Sequence, residues 1–308
     1  MKKLLKWCGI LLVASLCGLT IYGFIWIRQY QQLADEEPEI TLSPNVSDIT
    51  YCTMDSVPLK MDLYFPDNAD TPYQVLVYVH GGSFTSGDKS KGSGTLDIPA
   101  MTGRGYAVAA INYRLMPEHP FPAEVLDAKC AVRFLRAHAD EYQFKTEKIG
   151  IWGGSAGGHL SAMIGLTNGD PAFESGEYLK ESSSVEAVVE MFGPTDLTAK
   201  MGWLQRWLLR RAFGTDDPHA LLLRQASPVN YATEDAPPFL ILHGERDTAV
   251  PVEQAQALYQ ELLHAEVDAT LVIVENANHN FKPTGGPITP TRTEISDLMA
   301  DFFDRTLR

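Results

Sequence analysis

The sequence predicts an α/β fold: a mostly parallel sheet covered by helices on both faces. Three observations carry this. Short apolar runs, at residues 75–79, 106–111, 185–191 and 239–242, read as strands buried on both sides. Stretches with apolar residues at helical spacing separate them, such as Val125, Val132 and Leu135, or Val252, Ala255, Tyr259 and Leu262. Glycine-rich or polar segments then follow the apolar runs, where open α/β sheets place their sites.

In chain order, residues 48–53 and 59–65 read as two early strands. Leu59, Met61, Leu63 and Phe65 alternate with polar neighbours, so one face is buried. Residues 75–79 form the third strand and run into His80-Gly81-Gly82-Ser83-Phe84. A short helix is expected near 96–101, then a strand at 106–111. The loop from Asn112 to Pro122 is punctuated by prolines and precedes the helix marked by Val125, Lys129, Val132 and Leu135. Residues 148–152 form the next strand. Strands at 185–191, 239–242 and 270–274 follow, and a last helix carries Ile295, Leu298, Met299, Phe302 and Phe303. There is no internal repeat and no low-complexity tract. Residues 48–308 are read as one domain.

The N-terminus differs in kind. Lys2, Lys3 and Lys6 precede an uncharged run, residues 7–27. At 1.5 Å per residue those positions span about 31 Å, the thickness of a hydrocarbon core. Residues 1–28 are therefore expected to be a transmembrane anchor, with a cleaved signal as the alternative. Tyr22 and Trp26 fit an interfacial belt, and the lysines place the N-terminus inside and the rest outside the cytoplasm. Residues 29–47 read as a stalk.

The full chain of 308 residues carries a net charge of -14. Without a basic surplus it lacks what nucleic acid binding requires. Cys8 and Cys17 fall in the apolar N-terminus. Cys52 and Cys130 have no metal-ligand spacing and no disulfide framework, and are expected as small buried hydrophobes.

The chain is organised around Gly153-Gly154-Ser155-Ala156-Gly157-Gly158. An apolar strand precedes it; Leu160, Met163, Ile164 and Leu166 continue at helical spacing. A serine on so tight a strand-to-helix turn has its oxygen exposed and needs small neighbours. The motif alone is weak, because a glycine-rich strand-to-helix turn also matches it. A serine hydroxyl also needs a base, and the base an orienting acid. Asp247 and His279 supply them in chain order, each after an apolar strand. Asp247 read alone is an equally good helix cap, and His279 an ordinary loop residue. Asp196 is the rival acid. His80, His119, His159 and His243 are the competing histidines, out of order or suited to packing. Donors for an oxyanion are expected from the Ala156 N–H and from Gly81, Gly82 and Ser83.

Taken together, these residues resemble the α/β-hydrolases of the hormone-sensitive-lipase type, and more closely the bacterial carbohydrate and feruloyl esterases. The resemblance covers about residues 48–306. It rests on the His80 and Ser155 motifs, on Tyr113-Arg114-Leu115 with Pro117-Glu118-His119-Pro120-Phe121-Pro122, on Gly193-Pro194-Thr195-Asp196, on Leu242-His243-Gly244 with Asp247, and on His279-Asn280-Phe281. It implies an α/β-hydrolase fold, a Ser155, Asp247, His279 triad, and no metal or cofactor. Ser83 stands where lipase-type members often have a third glycine, so acyl preference does not carry over. In the family the region around residues 201–213 forms part of a small helical cap. Trp203, Leu204, Trp207 and Leu208 are expected on one helical face, with Arg206 and Arg210 on another, and Trp203 and Trp207 are candidates for the substrate pocket. The same helix also reads as core packing, or as a surface that dips into a membrane.

The expected activity is hydrolysis of short-acyl or carbohydrate-type esters through an acyl-enzyme. An amidase of the formamidase or peptidase kind is the alternative on this scaffold, and a tethered binding module the alternative of another class.

Overall fold

The computed structural model describes residues 42–67 and 69–308. Residues 1–41, with the expected anchor and most of the stalk, lie outside them. Among the described residues no helix is long and apolar enough to cross a membrane.

Eight strands form one sheet: β1 (Val46–Met54), β2 (Val57–Tyr64), β3 (Tyr73–Val79), β4 (Tyr106–Ile111), β5 (Phe144–Gly154), β6 (Ala187–Met191), β7 (Phe239–Gly244) and β8 (Ala269–Val274). Their order is β1-β2-β4-β3-β5-β6-β7-β8. The first two pairings, β1 with β2 and β2 with β4, are antiparallel; all others are parallel. β2 corrects the expectation of a single buried face: Asp62 and Tyr64 are buried along with Met61 and Leu63. Asp62 is accommodated by the Asp48 N–H, which donates to it at 2.8 Å, and by Lys89 Nζ at 3.3 Å. β3 and β4 are buried almost throughout, as strands in the interior of a sheet are. β1 begins at Val46, inside the stretch assigned to the stalk. Its first residues are exposed, so they carry no apolar signal, but the Asn45 N–H already donates to the Leu63 carbonyl at 2.8 Å.

Helices cover both faces. They are α1 (Ile98–Gly103), α2 (Ala123–Ala137), α3 (Ala139–Tyr142), α4 (Ala156–Leu166), α5 (Trp203–Phe213), α6 (Leu221–Gln225), α7 (Glu253–His264) and α8 (Arg292–Leu307). One core packs α2, α4 and α7 against Val75, Val77, Ile151 and Ile241. The other packs α1 and α8 against Leu76, Tyr78, Trp152 and Leu240. Alternate residues of one strand thus feed opposite cores, as the period of two requires. α8 opens with a capping box, the Thr291 hydroxyl meeting the Glu294 N–H and the Glu294 carboxylate the Thr291 N–H.

Cys52 and Cys130 are bonded to each other, with their Cα atoms 6.5 Å apart. This corrects the expectation of two unbonded hydrophobes. Both residues are buried, but β1 lies against α2, and that brings together thiols 78 residues apart. A long separation leaves no spacing pattern to read.

Candidate active site

Ser155 sits between the end of β5 and the start of α4 with φ 57° and ψ −122°. A non-glycine residue is strained there. The turn is fixed by neighbours that cannot be larger. A Cβ on Gly157 would lie 2.1 Å from the Val79 carbonyl oxygen. The Ser155 N–H donates to the Met191 carbonyl at 2.9 Å, tying the turn to β6.

The structure brings Ser155, His279 and Asp247 together. His279 Nε2 lies 3.0 Å from Ser155 Oγ, and its Nδ1 2.7 Å from Asp247 Oδ2. Asp247 is buried, which raises a carboxyl; the adjacent His279 and His243 and the backbone donors more than offset this and hold it below the usual carboxylate range. Its Oδ1 accepts the N–H groups of Ala249 and Val250, each at 2.8 Å. Asn278 joins the two loops: its Oδ1 accepts from the His279 N–H at 2.8 Å and the Thr248 N–H at 3.0 Å.

The competitors are placed elsewhere. Asp196 Oδ1 accepts from Thr198 Oγ1 at 2.6 Å and its N–H at 2.9 Å, closing a local turn. His159 Nδ1 donates to the Pro194 carbonyl at 2.7 Å; burial pushes its imidazole down to about 4. His80 is likewise pushed to about 4 by burial; its ring stacks on Tyr113 and its Nδ1 donates to the Gly81 carbonyl. His243 donates Nε2–H to the Val250 carbonyl at 2.9 Å and lies 3.6 Å from Asp247 Oδ2. Burial lowers its pKa, and the ring packs beside the acid.

The His80 loop passes beside the serine. A Cβ on Gly81 would be 3.5 Å from Ser155 Cβ. Gly82, Ser83 and Phe84 follow with φ 118°, 52° and 65°, and the Thr85 and Ser86 N–H groups both donate to the Gly82 carbonyl. This run turns the backbone sharply next to Ala156, the first residue of α4, whose N–H has no partner within a helix.

The helix expected as part of a cap departs from the expected face. α5 buries Leu204, Leu209, Ala212 and Phe213, whereas Trp203 and Trp207 are 59% and 38% exposed. Leu204 therefore leaves the face it was assigned to share with the tryptophans. Arg206 and Arg210 bind Asp216, and Arg211 lies over the Trp207 ring. The buried side meets Phe84 through Phe213, ring centroids 5.4 Å apart. At its other end Gln205 donates to the Thr248 and Ala249 carbonyls beside Asp247.

Residues that sequence reasoning passed over also reach the site. Phe192 packs its ring 5.0 Å from the His279 imidazole. Glu190 is buried in β6 below it. The signal was present: a lone carboxylate inside an apolar strand.

The match to the BD-FAE family model spans residues 61–262. The chain belongs to the BD-FAE family. Curated relatives of this BD-FAE chain include esterase LipC of Mycobacterium tuberculosis, 35% identical over 75% of the chain and 59% of the relative. Esterase LipQ of the same organism is 34% identical over 74% of the chain and 54% of the relative. The chain thus spans about half the length of the curated relatives it matches. Among solved structures, a truncated carbohydrate esterase from gut microbiota superposes with a TM-score of 0.73, at 29% identity, over 87% of this chain and 98% of the other. Esterase 2 of Thermogutta terrifontis with bound butyrate gives a TM-score of 0.70, at 26% identity, over 85% and 94%.

Proposed function

We propose that this BD-FAE member is a serine esterase that cleaves carboxylic esters through an acyl-enzyme. The observation that carries the reading is His279 placed between Ser155 and Asp247, with a ring nitrogen in reach of each. Ser155 Oγ attacks the ester carbonyl as His279 Nε2 takes its proton. The N–H groups of Gly82, Ser83 and Ala156 receive the developing oxyanion. His279 passes the proton to the leaving alcohol, and Asp247 stabilises the imidazolium. Water then attacks the acyl-serine by the same route. A pure binding module would have no use for a strained serine aimed at a base. The relatives named as esterases support this chemistry, and those named for carbohydrate or butyrate suggest small acyl groups, on sugar alcohols among others.

The reading extends to location. The uncharged run at 7–27 behind three lysines supports an N-terminal anchor, with the catalytic domain outside the cytoplasm. The Cys52–Cys130 bond is independent support, because such bonds persist in oxidising compartments. Protease added to intact cells should remove the domain and leave the anchor, and protection of the domain would refute this orientation.

The test of activity is hydrolysis of p-nitrophenyl acetate by the full chain in detergent beside its Ser155→Ala variant. Activity in the parent and its loss in a folded variant is the expected result. Equal rates in both would refute the reading, and activity confined to anilide substrates would turn it toward an amidase.

A further inference from the structure

β6 is fully buried and apolar but for Glu190. The residue pairs with Gly153 of β5 on one side and Ile241 of β7 on the other. Its Oε1 accepts the N–H of Gly193. A Cβ on Gly158 would lie 2.8 Å from that oxygen, and one on Gly193 2.6 Å. The carboxyl is therefore wedged between the first turn of α4 and the loop that leaves β6. Oε2 is buried and has no hydrogen-bond partner among the described residues.

Two parts of the site rest on this wedge. The loop that Glu190 holds through Gly193 carries Phe192 at φ 41°. The Phe192 ring meets the imidazole of His279 at 5.0 Å and the ring of Phe281 at 4.8 Å. The other part is the helix start. The Ser155 carbonyl accepts from the His159 N–H, closing the first turn of α4, and Gly158 lies within that turn over the carboxyl.

A fully buried carboxyl with one oxygen unpartnered is far more stable as the neutral acid. Its surroundings reinforce this. β5 presents only Gly153, and α4 presents Gly158, with His159 next in line and neutral. From the β7 side come His243, two residues beyond Ile241, and Asp247 past the strand end, whose negative charge acts on the carboxyl; His279 meets the Phe192 ring. Burial first, then Asp247, push the carboxyl up to about 8, against the pull of the Gly193 N–H.

We propose that Glu190 is a positioning residue that works as a neutral acid: its acceptor oxygen fixes the Phe192–Gly193 turn under His279, and its proton keeps a second anion away from the helix end beside Ser155. The inference rests on the esterase reading of the site. An anion under that helix end opposes the positive dipole that receives the oxyanion. The same anion would favour the imidazolium, but Asp247 already provides that at 2.7 Å.

The experiment compares the full-length protein with its Glu190→Gln variant, in which an amide oxygen still accepts from Gly193. At pH 7 kcat/KM for p-nitrophenyl acetate should agree within about threefold, because both side chains are neutral. From pH 8 to 9.5 the wild type should lose at least about fivefold more activity than the variant. A second readout needs no catalysis. The carboxyl is protonated in the fold above its unfolded value, so its favourable contribution is complete in acid and is lost as pH rises through about 8. The Tm of the variant relative to the wild type should therefore rise between pH 5 and pH 9.5. Parallel pH–rate profiles, a Tm difference constant with pH, or a hundredfold loss in a folded variant at pH 7 would each overturn the proposal. A wild type inactive on every ester would instead strike the reading of the site, and the Tm comparison would still decide the state of Glu190.

Discussion

Asp247 and His279, 32 residues apart in the chain, meet at 2.7 Å because each sits just beyond the end of neighbouring parallel strands, β7 and β8. Asp196 lies in the loop after the preceding strand β6 yet spends its carboxylate on its own turn. Replacing Asp247 by Asn should lower kcat by about 10,000-fold, since the amide favours the wrong tautomer of the histidine. Asp196→Asn keeps the turn acceptor and should leave kcat within about threefold. Steady-state kinetics of the two variants decide between the acids.

Gly82 has φ 118°, and a Cβ there would lie 2.0 Å from the Ser86 carbonyl oxygen. Gly82→Ala must shift the whole turn. Loss of one oxyanion donor lowers kcat by about 100- to 1000-fold. The expected sign is a fall in kcat with KM little changed, measured on a variant whose circular dichroism matches the parent.

The Cys52–Cys130 bond closes a loop with a sequence separation of 78. By chain entropy, its removal should cost about 4 kcal/mol of stability. Cys52→Ser with Cys130→Ser should therefore unfold at lower urea concentration, while kcat at 25 °C stays unchanged, because the bond joins β1 to α2, remote from Ser155.

Glu124, at the start of α2, is buried with neither carboxylate oxygen partnered among the described residues. Burial, reinforced by Asp127 and opposed by Arg114, pushes it up to about 8. The folded value is raised, so its contribution is complete in acid and disappears as pH rises through about 8. Glu124→Gln should gain Tm relative to the wild type between pH 5 and pH 9, by several degrees. A pH-independent difference would show that the carboxyl stays neutral or ionised throughout.

The sequence made the architecture legible because hydrophobic period and strand position are local. Each of the eight strands overlaps an apolar or alternating run, and Ser155, Asp247 and His279 follow three of them. The contacts that were not legible are long-range or geometric. Cys52 and Cys130 are joined only by the packing of β1 on α2. Trp203 and Leu204 are adjacent and both apolar, so spacing alone does not say which one α5 buries. The clip that Asn278 forms between the His279 and Asp247 loops depends on the direction of one amide. Glu190 left a trace, a charge in a buried strand, but its role requires knowing what lies on either side of the sheet.

β8 is the outermost strand on its side of the sheet among the described residues, and most of its side chains are only partly buried. The serine, by contrast, is carried by β5, at the centre. Heat should therefore silence the enzyme before it melts it. Fraying at β8 displaces the base while the nucleophile is still held, so the temperature at which turnover fails and the temperature at which the core unfolds are two different properties of this chain. Fastening the outer strand should raise the first and hardly move the second.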